Sequence, residues 1–140
     1  MASEQALRAE ERDGRWWLAG ETVVRWTLVN EFLGYLADRH YSPRTVRAYA
    51  FDLLALCRWL ADENVGLDDV STDVLLRFLT YCRTANHPGR PGGNVYSIVD
   101  GRNSGYSPAT INRRLAAISA LFGFRQMRDP AAPNPVPRRR

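Results

Sequence analysis

The sequence predicts an all-α domain of four main helices, and three observations carry that reading. Apolar residues recur at three- and four-residue steps in four separate stretches, the spacing that lines one face of a helix. Two of those stretches open on the same spelling, YSPRT at 41–45 and YSPAT at 106–110, which has the chemistry of a helix start. An apolar share of 45% with 11% aromatics supplies one packed core for a chain of 140 residues.

Residues 1–15 are polar and charged with no apolar stripe, so residues 1–20 read as a flexible arm. Trp16, Trp17 and Leu18 pin it to the body before a turn at Gly20. The first helix is expected over 21–39, on a stripe of Val24, Leu28, Phe32, Tyr35 and Leu36. The second is expected from Pro43 to about residue 61. Ser42 caps it, Pro43 takes the first turn where a missing N–H costs nothing, and Tyr41 packs on Val46 from outside the cap. Its inner face is Val46, Ala50, Leu53, Cys57 and Leu60.

Ser71 or Thr72 begins a third helix with the stripe Leu75, Phe78, Leu79 and Cys82. A Gly/Pro/Asn-rich loop, 84–105, follows. It is long enough to be either functional or disordered, with a weak hairpin signal at the Asp100-Gly101 pair. The fourth helix repeats the earlier opening, with Ser107, Pro108, Tyr106 and Ile111 in the same roles. It runs to about residue 126 on Ile111, Leu115, Ile118, Leu121 and Phe122. The two YSP segments diverge within a turn, so the shared spelling is punctuation rather than duplication. Prolines at 130, 133, 135 and 137 impose an extended linker. The chain thus divides into an arm (1–20), a helical domain (21–129) and a Pro/Arg-rich linker (130–140).

Every one of the 19 basic residues is arginine. The planar guanidinium bridges phosphate oxygens and guanine edges, although an arginine-favouring codon usage gives the same composition. The charge is unevenly spread. Residues 1–40 hold five Arg against seven acids, 41–105 seven of each, and 106–140 seven Arg against one acid. No apolar run reaches membrane-spanning length and the N-terminus is too charged for a secretory signal, so the expectation is a soluble, cytoplasmic protein. Cys57 and Cys82 lie far apart on apolar faces and read as reduced core residues. His40 and His87 have no second metal ligand nearby, and the glycines of the long loop lack the lysine of a phosphate-binding loop. No metal site, cofactor, small-molecule substrate or catalytic constellation is expected.

A helical wheel at about 100° per residue gathers Arg44, Arg47, Phe51 and Arg58 on one flank of the second helix. On the fourth it turns Asn112 and Arg113 outward beside Ala109, Ala116 and Ala120, whose short side chains permit close approach to a surface. Arginine and asparagine near helix N-termini suit phosphates and the major groove. Ordinary solvated faces rich in Ala and Arg have the same pattern.

The succession VNEFLGYLADRHYSPRTVRAYAFDLLALCRWL, VSTDVLLRFL and YSPATINRRLAAISALFGF, closing on NPVP, resembles the N-terminal core-binding domain of tyrosine recombinases, the phage-integrase family. The likeness runs over about residues 21–137. It implies an orthogonal, SAM-like bundle of four or five helices forming half of a clamp around duplex DNA, with its second and fourth helices on the major groove. By that resemblance Arg44, Thr45 and Arg47, with Thr110, Asn112, Arg113 and Arg114, line the DNA side. The wheel instead sets Arg114 at the edge of the apolar stripe, where it snorkels or pairs within the bundle. Arg138, Arg139 and Arg140 would add phosphate contacts from the linker.

In the family, cleavage belongs to a second, C-terminal domain with no counterpart in this sequence, so this chain by itself is expected not to be an enzyme. The implied function is sequence-directed duplex DNA binding in site-specific recombination or integration. The parent would be a bacterial or phage protein assembling as a tetramer on DNA. The alternative is a helical protein-interaction module. A helix-turn-helix regulator fits less well, because a helix and a long loop separate the two YSP helices.

Overall fold

Both repeated spellings start helices. The computed structural model describes residues 6–84 and 105–137. Among these, four α-helices form the body: α1 (Thr27–Asp38), α2 (Pro43–Glu63), α3 (Thr72–Thr84) and α4 (Pro108–Arg128). Ser42 and Ser107 each sit in extended backbone and accept a hydrogen bond from the N–H three residues on, Thr45 and Thr110, with proline on the first turn. Ser71 Oγ does the same for the N–H of Val74, which settles the start of α3. Asn64, in left-handed conformation, closes α2.

The residues expected to line α2 and α3 are all buried. On α4, Ile111, Ile118, Leu121 and Phe122 are buried and Leu115 is half-buried. The first helix departs from expectation. Residues 23–26 form a 3-10 turn, and the α-helix that follows buries Val29, Phe32, Leu33 and Leu36, leaving Val24 at 78% exposure. Of the expected stripe, Phe32 and Leu36 are buried and Leu28 and Tyr35 half-buried, and only Val24 turns out, because it lies in the 3-10 turn, which advances the chain by three residues per turn rather than 3.6.

Aromatic side chains cement the bundle. Phe32 of α1 meets Tyr49 of α2 and Phe124 of α4, at centroid separations of 5.6 and 5.5 Å. Trp59 of α2 meets Phe78 of α3 at 5.4 Å. No helix of the described residues is long and apolar enough to cross a membrane.

The expected arm is corrected at residues 8–19. Strands β1 (Arg8–Arg12) and β2 (Arg15–Ala19) pair antiparallel around Asp13-Gly14, both at positive φ, as a two-residue hairpin turn requires. Leu18 is buried and Trp16 packs edge-on against Phe51 of α2 at 5.7 Å. Asn30 of α1 holds the strand through both its amide groups, accepting from Leu18 N–H at 2.7 Å and donating to Leu18 C=O at 3.0 Å. Arg58 is exposed on the outward flank expected for it, and from there it donates twice to the Leu7 carbonyl, at 3.0 and 2.8 Å. Residues 1–5 lie outside the described residues.

The expected linker is corrected over 130–137, which folds back on the bundle. Thr72 Oγ1 donates to Pro135 C=O at 2.7 Å, Asn134 Nδ2 to Ser119 C=O at 3.1 Å, and Gln126 Nε2 to Ala132 C=O at 3.0 Å. Prolines forbid helix there, but their free carbonyls still accept hydrogen bonds. The hairpin signal at Asp100-Gly101 and most of the long loop lie outside the described residues. At the far end of that loop Tyr106 N–H bonds Cys82 C=O at 2.8 Å, so the chain returns against the end of α3. Gly105 passes so close that an added Cβ would collide with the Arg83 carbonyl.

Candidate nucleic-acid interface

The N-terminal halves of α2 and α4 lie side by side, and a groove of about 310 Å3 runs between them. Its lining includes Arg44, Thr45, Ala48 and Asp52 from α2, and Arg113 and Ala116 from α4. Arg44 is exposed at its rim. Thr45 is half-buried and belongs to the cap, its hydroxyl 2.9 Å from Ser42 Oγ. Tyr49 also lines the groove, and burial, with Tyr41 and Asp52 nearby, pushes its phenol above the usual range. Its hydroxyl therefore stays protonated at neutral pH and is able to donate.

Arg47 is exposed one turn along α2 from Arg44. Its guanidinium lies 4.9 Å from the Phe51 ring and 5.8 Å from the Trp16 ring. The hairpin thus steadies this cation from below while its outer face remains open.

Arg113 reaches into the groove and is held there. Its Nε donates to Asp52 Oδ2 at 2.9 Å and its Nη2 to Asp52 Oδ1 at 2.8 Å. The carboxylate side chain is only 3% exposed whereas that of the arginine is 58% exposed. These hydrogen bonds raise the arginine pKa, so it stays charged.

Asn112, exposed, turns to a neighbouring groove of about 860 Å3 between α3, α4 and the returning tail, which shares Ala116 with the first. Thr110 is half-buried and its hydroxyl is 3.0 Å from Ser107 Oγ, so it too is part of a cap.

Arg114 is the correction among the expected contacts. It is 8% exposed, its guanidinium lies 3.9 Å over the Tyr106 ring, and Nη1 donates to Cys82 Sγ at 3.5 Å. The long aliphatic stem follows the apolar stripe and carries the head inward rather than out to solvent. Burial raises the Cys82 pKa, an effect that Arg114 partly offsets. Arg138, Arg139 and Arg140 lie outside the described residues.

The structure therefore brings Arg44, Thr45 and Arg113 to one groove, with Arg47 beside it and Asn112 across the Ala116 ridge. It removes Arg114. Sequence reasoning missed Asp52, Tyr49 and the hairpin brace. Asp52 carried a signal: an acid next to the inner-face residue Leu53, with no arginine three or four positions away to pair with it along the helix.

The residues 29–90 match the family model described as phage integrase, N-terminal SAM-like domain. This segment is a phage-integrase SAM-like domain. The match covers α1 from residue 29 onward and all of α2 and α3, and α4 with Arg113 lies beyond it. Two curated relatives, each named tyrosine recombinase XerC, align with this chain over 98 residues. That of Roseiflexus castenholzii (strain DSM 13941 / HLO8) is 32% identical and that of Roseiflexus sp. (strain RS-1) 31% identical. Each alignment covers 69% of this chain and 25% of the relative, so the match spans about a quarter of the relatives' length. No solved structure matches this chain.

Proposed function

We propose that this chain binds duplex DNA as the core-binding part of a site-specific tyrosine recombinase, through the face formed by the starts of α2 and α4. The observation that carries the reading is the groove in which arginines from two separate helices converge over an alanine floor. Arg44 projects beside a helix N-terminus, where the macrodipole adds to its attraction for a phosphate. Arg47, stacked on two rings, offers a second cation with little rotamer freedom left to lose. Ala48 and Ala116, both exposed, let a nucleic-acid backbone approach the helices closely. The terminal arginines 138–140 add further phosphate contacts in this reading.

Cleavage and rejoining belong to the whole recombinase, with other copies of the protein on the same DNA, in a bacterial or phage-infected cytoplasm. This chain supplies grip and register rather than a nucleophile.

Fluorescence anisotropy of a labelled mixed-sequence duplex, titrated at several salt concentrations, tests the proposal. Each phosphate contact contributes a slope of about 0.9 in log affinity against log salt, so Arg44→Ala/Arg47→Ala should flatten the dependence by about 1.8. Affinity and slope unchanged in that variant, with its helical circular dichroism intact, would overturn the assigned face.

A further inference from the structure

We infer that Arg113 reads a base edge, namely guanine in the major groove, and that Asp52 is the positioning residue that aims it. This rests on the DNA-binding reading above. The Nε and Nη2 groups of Arg113 are both engaged by Asp52, at 2.9 and 2.8 Å, which is the side of the guanidinium fork. The end of the fork, Nη1 with the second Nη2 hydrogen, remains free among the described contacts and carries two parallel donors. Guanine presents two acceptors, O6 and N7, at the spacing such an end matches.

Charge separates this role from a phosphate contact. The buried carboxylate cancels most of the field of Arg113 at the groove, and a phosphate drawn to the arginine would also meet the Asp52 charge. A neutral base edge meets no such repulsion and still gains both hydrogen bonds. Pre-organisation favours the same choice. The carboxylate is buried and fixed in α2, so the fork is already oriented, and a bidentate contact loses less side-chain freedom when it forms. Arg44 and Arg47 have no carboxylate partner among the described ion pairs and remain suited to phosphates.

Selection from a random-sequence duplex pool, followed by sequencing, tests this with the unaltered chain and with Arg113→Lys and Asp52→Asn. The unaltered chain should select guanine at one position by about tenfold over other bases. Arg113→Lys keeps the charge and loses the fork, so that preference should fall below about threefold while the salt slope stays as it was. Asp52→Asn should weaken the same preference yet bind unselected duplex as tightly or more tightly, because a negative charge leaves the face. A merely structural role for Asp52 predicts the opposite, equal weakening on selected and unselected duplexes, and that result would overturn the inference. So would a guanine preference surviving both substitutions, or an Arg113→Lys/Asp52→Asn chain, still folded by circular dichroism, with the original motif. A pool that the unaltered chain does not bind at all would instead reject the DNA-binding reading, and the inference with it.

Discussion

Arg113→Ala and Asp52→Ala remove opposite halves of one ion pair, and the exposures of the two side chains make the costs unequal. Removing Arg113 strips two donors from a carboxylate that is 3% exposed. A buried charge left without its hydrogen bonds costs about 3–5 kcal/mol when the site is closed. Here the groove admits water once the arginine is gone, which brings the expectation to about 2–3 kcal/mol. Removing Asp52 leaves an arginine already 58% exposed, which water can hydrate in place, so the loss should be about 1 kcal/mol or less. Equilibrium urea unfolding, followed by far-ultraviolet circular dichroism, measures both. With m near 2 kcal/mol/M the midpoints of the two variants should differ by about 1 M urea. The double variant should be more stable than Arg113→Ala alone, because no uncompensated carboxylate remains. Equal costs, or a larger cost for Asp52→Ala, would refute the picture of a buried anchor holding an exposed fork.

Two further predictions concern the caps and the thiols. Ser42→Ala and Ser107→Ala should each cost about 1 kcal/mol in unfolding free energy, and the corresponding glycine variants only a few tenths. Burial raises the Cys57 thiol pKa well above its ordinary value of 9.0, so the protonated form is favoured in the fold. Its contribution to stability is complete below pH 9.0 and is lost as pH rises, by about 1.4 kcal/mol for each unit above that value. Urea midpoints at neutral and alkaline pH check the sign, and Cys57→Ala should remove that thiol's share of the loss.

Local chemistry was legible in the sequence and long-range chemistry was not. Ser42, Ser107 and their prolines announce two helices because capping acts within four residues. The inner faces of α2 and α3 follow from periodicity alone. The hairpin was missed although Asp13-Gly14 spells its turn. β1 is charged at four of its five positions and neither strand holds a β-branched residue, so the alternation that marks a strand is missing, and the hairpin is held by Leu18 and Trp16 packing on the helices and by Asn30 of α1 bonding Leu18. At the interface, a helical wheel sees one helix at a time. It correctly turned Arg44, Arg47 and Arg113 outward and could not see Asp52 meeting Arg113 from 61 positions away. It also placed Arg58 outward with them, and that side chain is exposed, but the wheel could not see its guanidinium gripping the Leu7 carbonyl. Arg114 shows the wheel succeeding where the resemblance did not, since its edge position on the apolar stripe is where a long side chain turns inward.

The small ribbon at the front of the chain alters where this unit can be trimmed. A fragment begun at residue 21 would keep every helix yet forfeit the partner of the Asn30 amide, the carbonyl that Arg58 grips and one of the two rings beneath Arg47. The segment matched by the family model starts later still, at residue 29. A boundary drawn from likeness alone would therefore saw through the buttress of the very surface one wished to isolate.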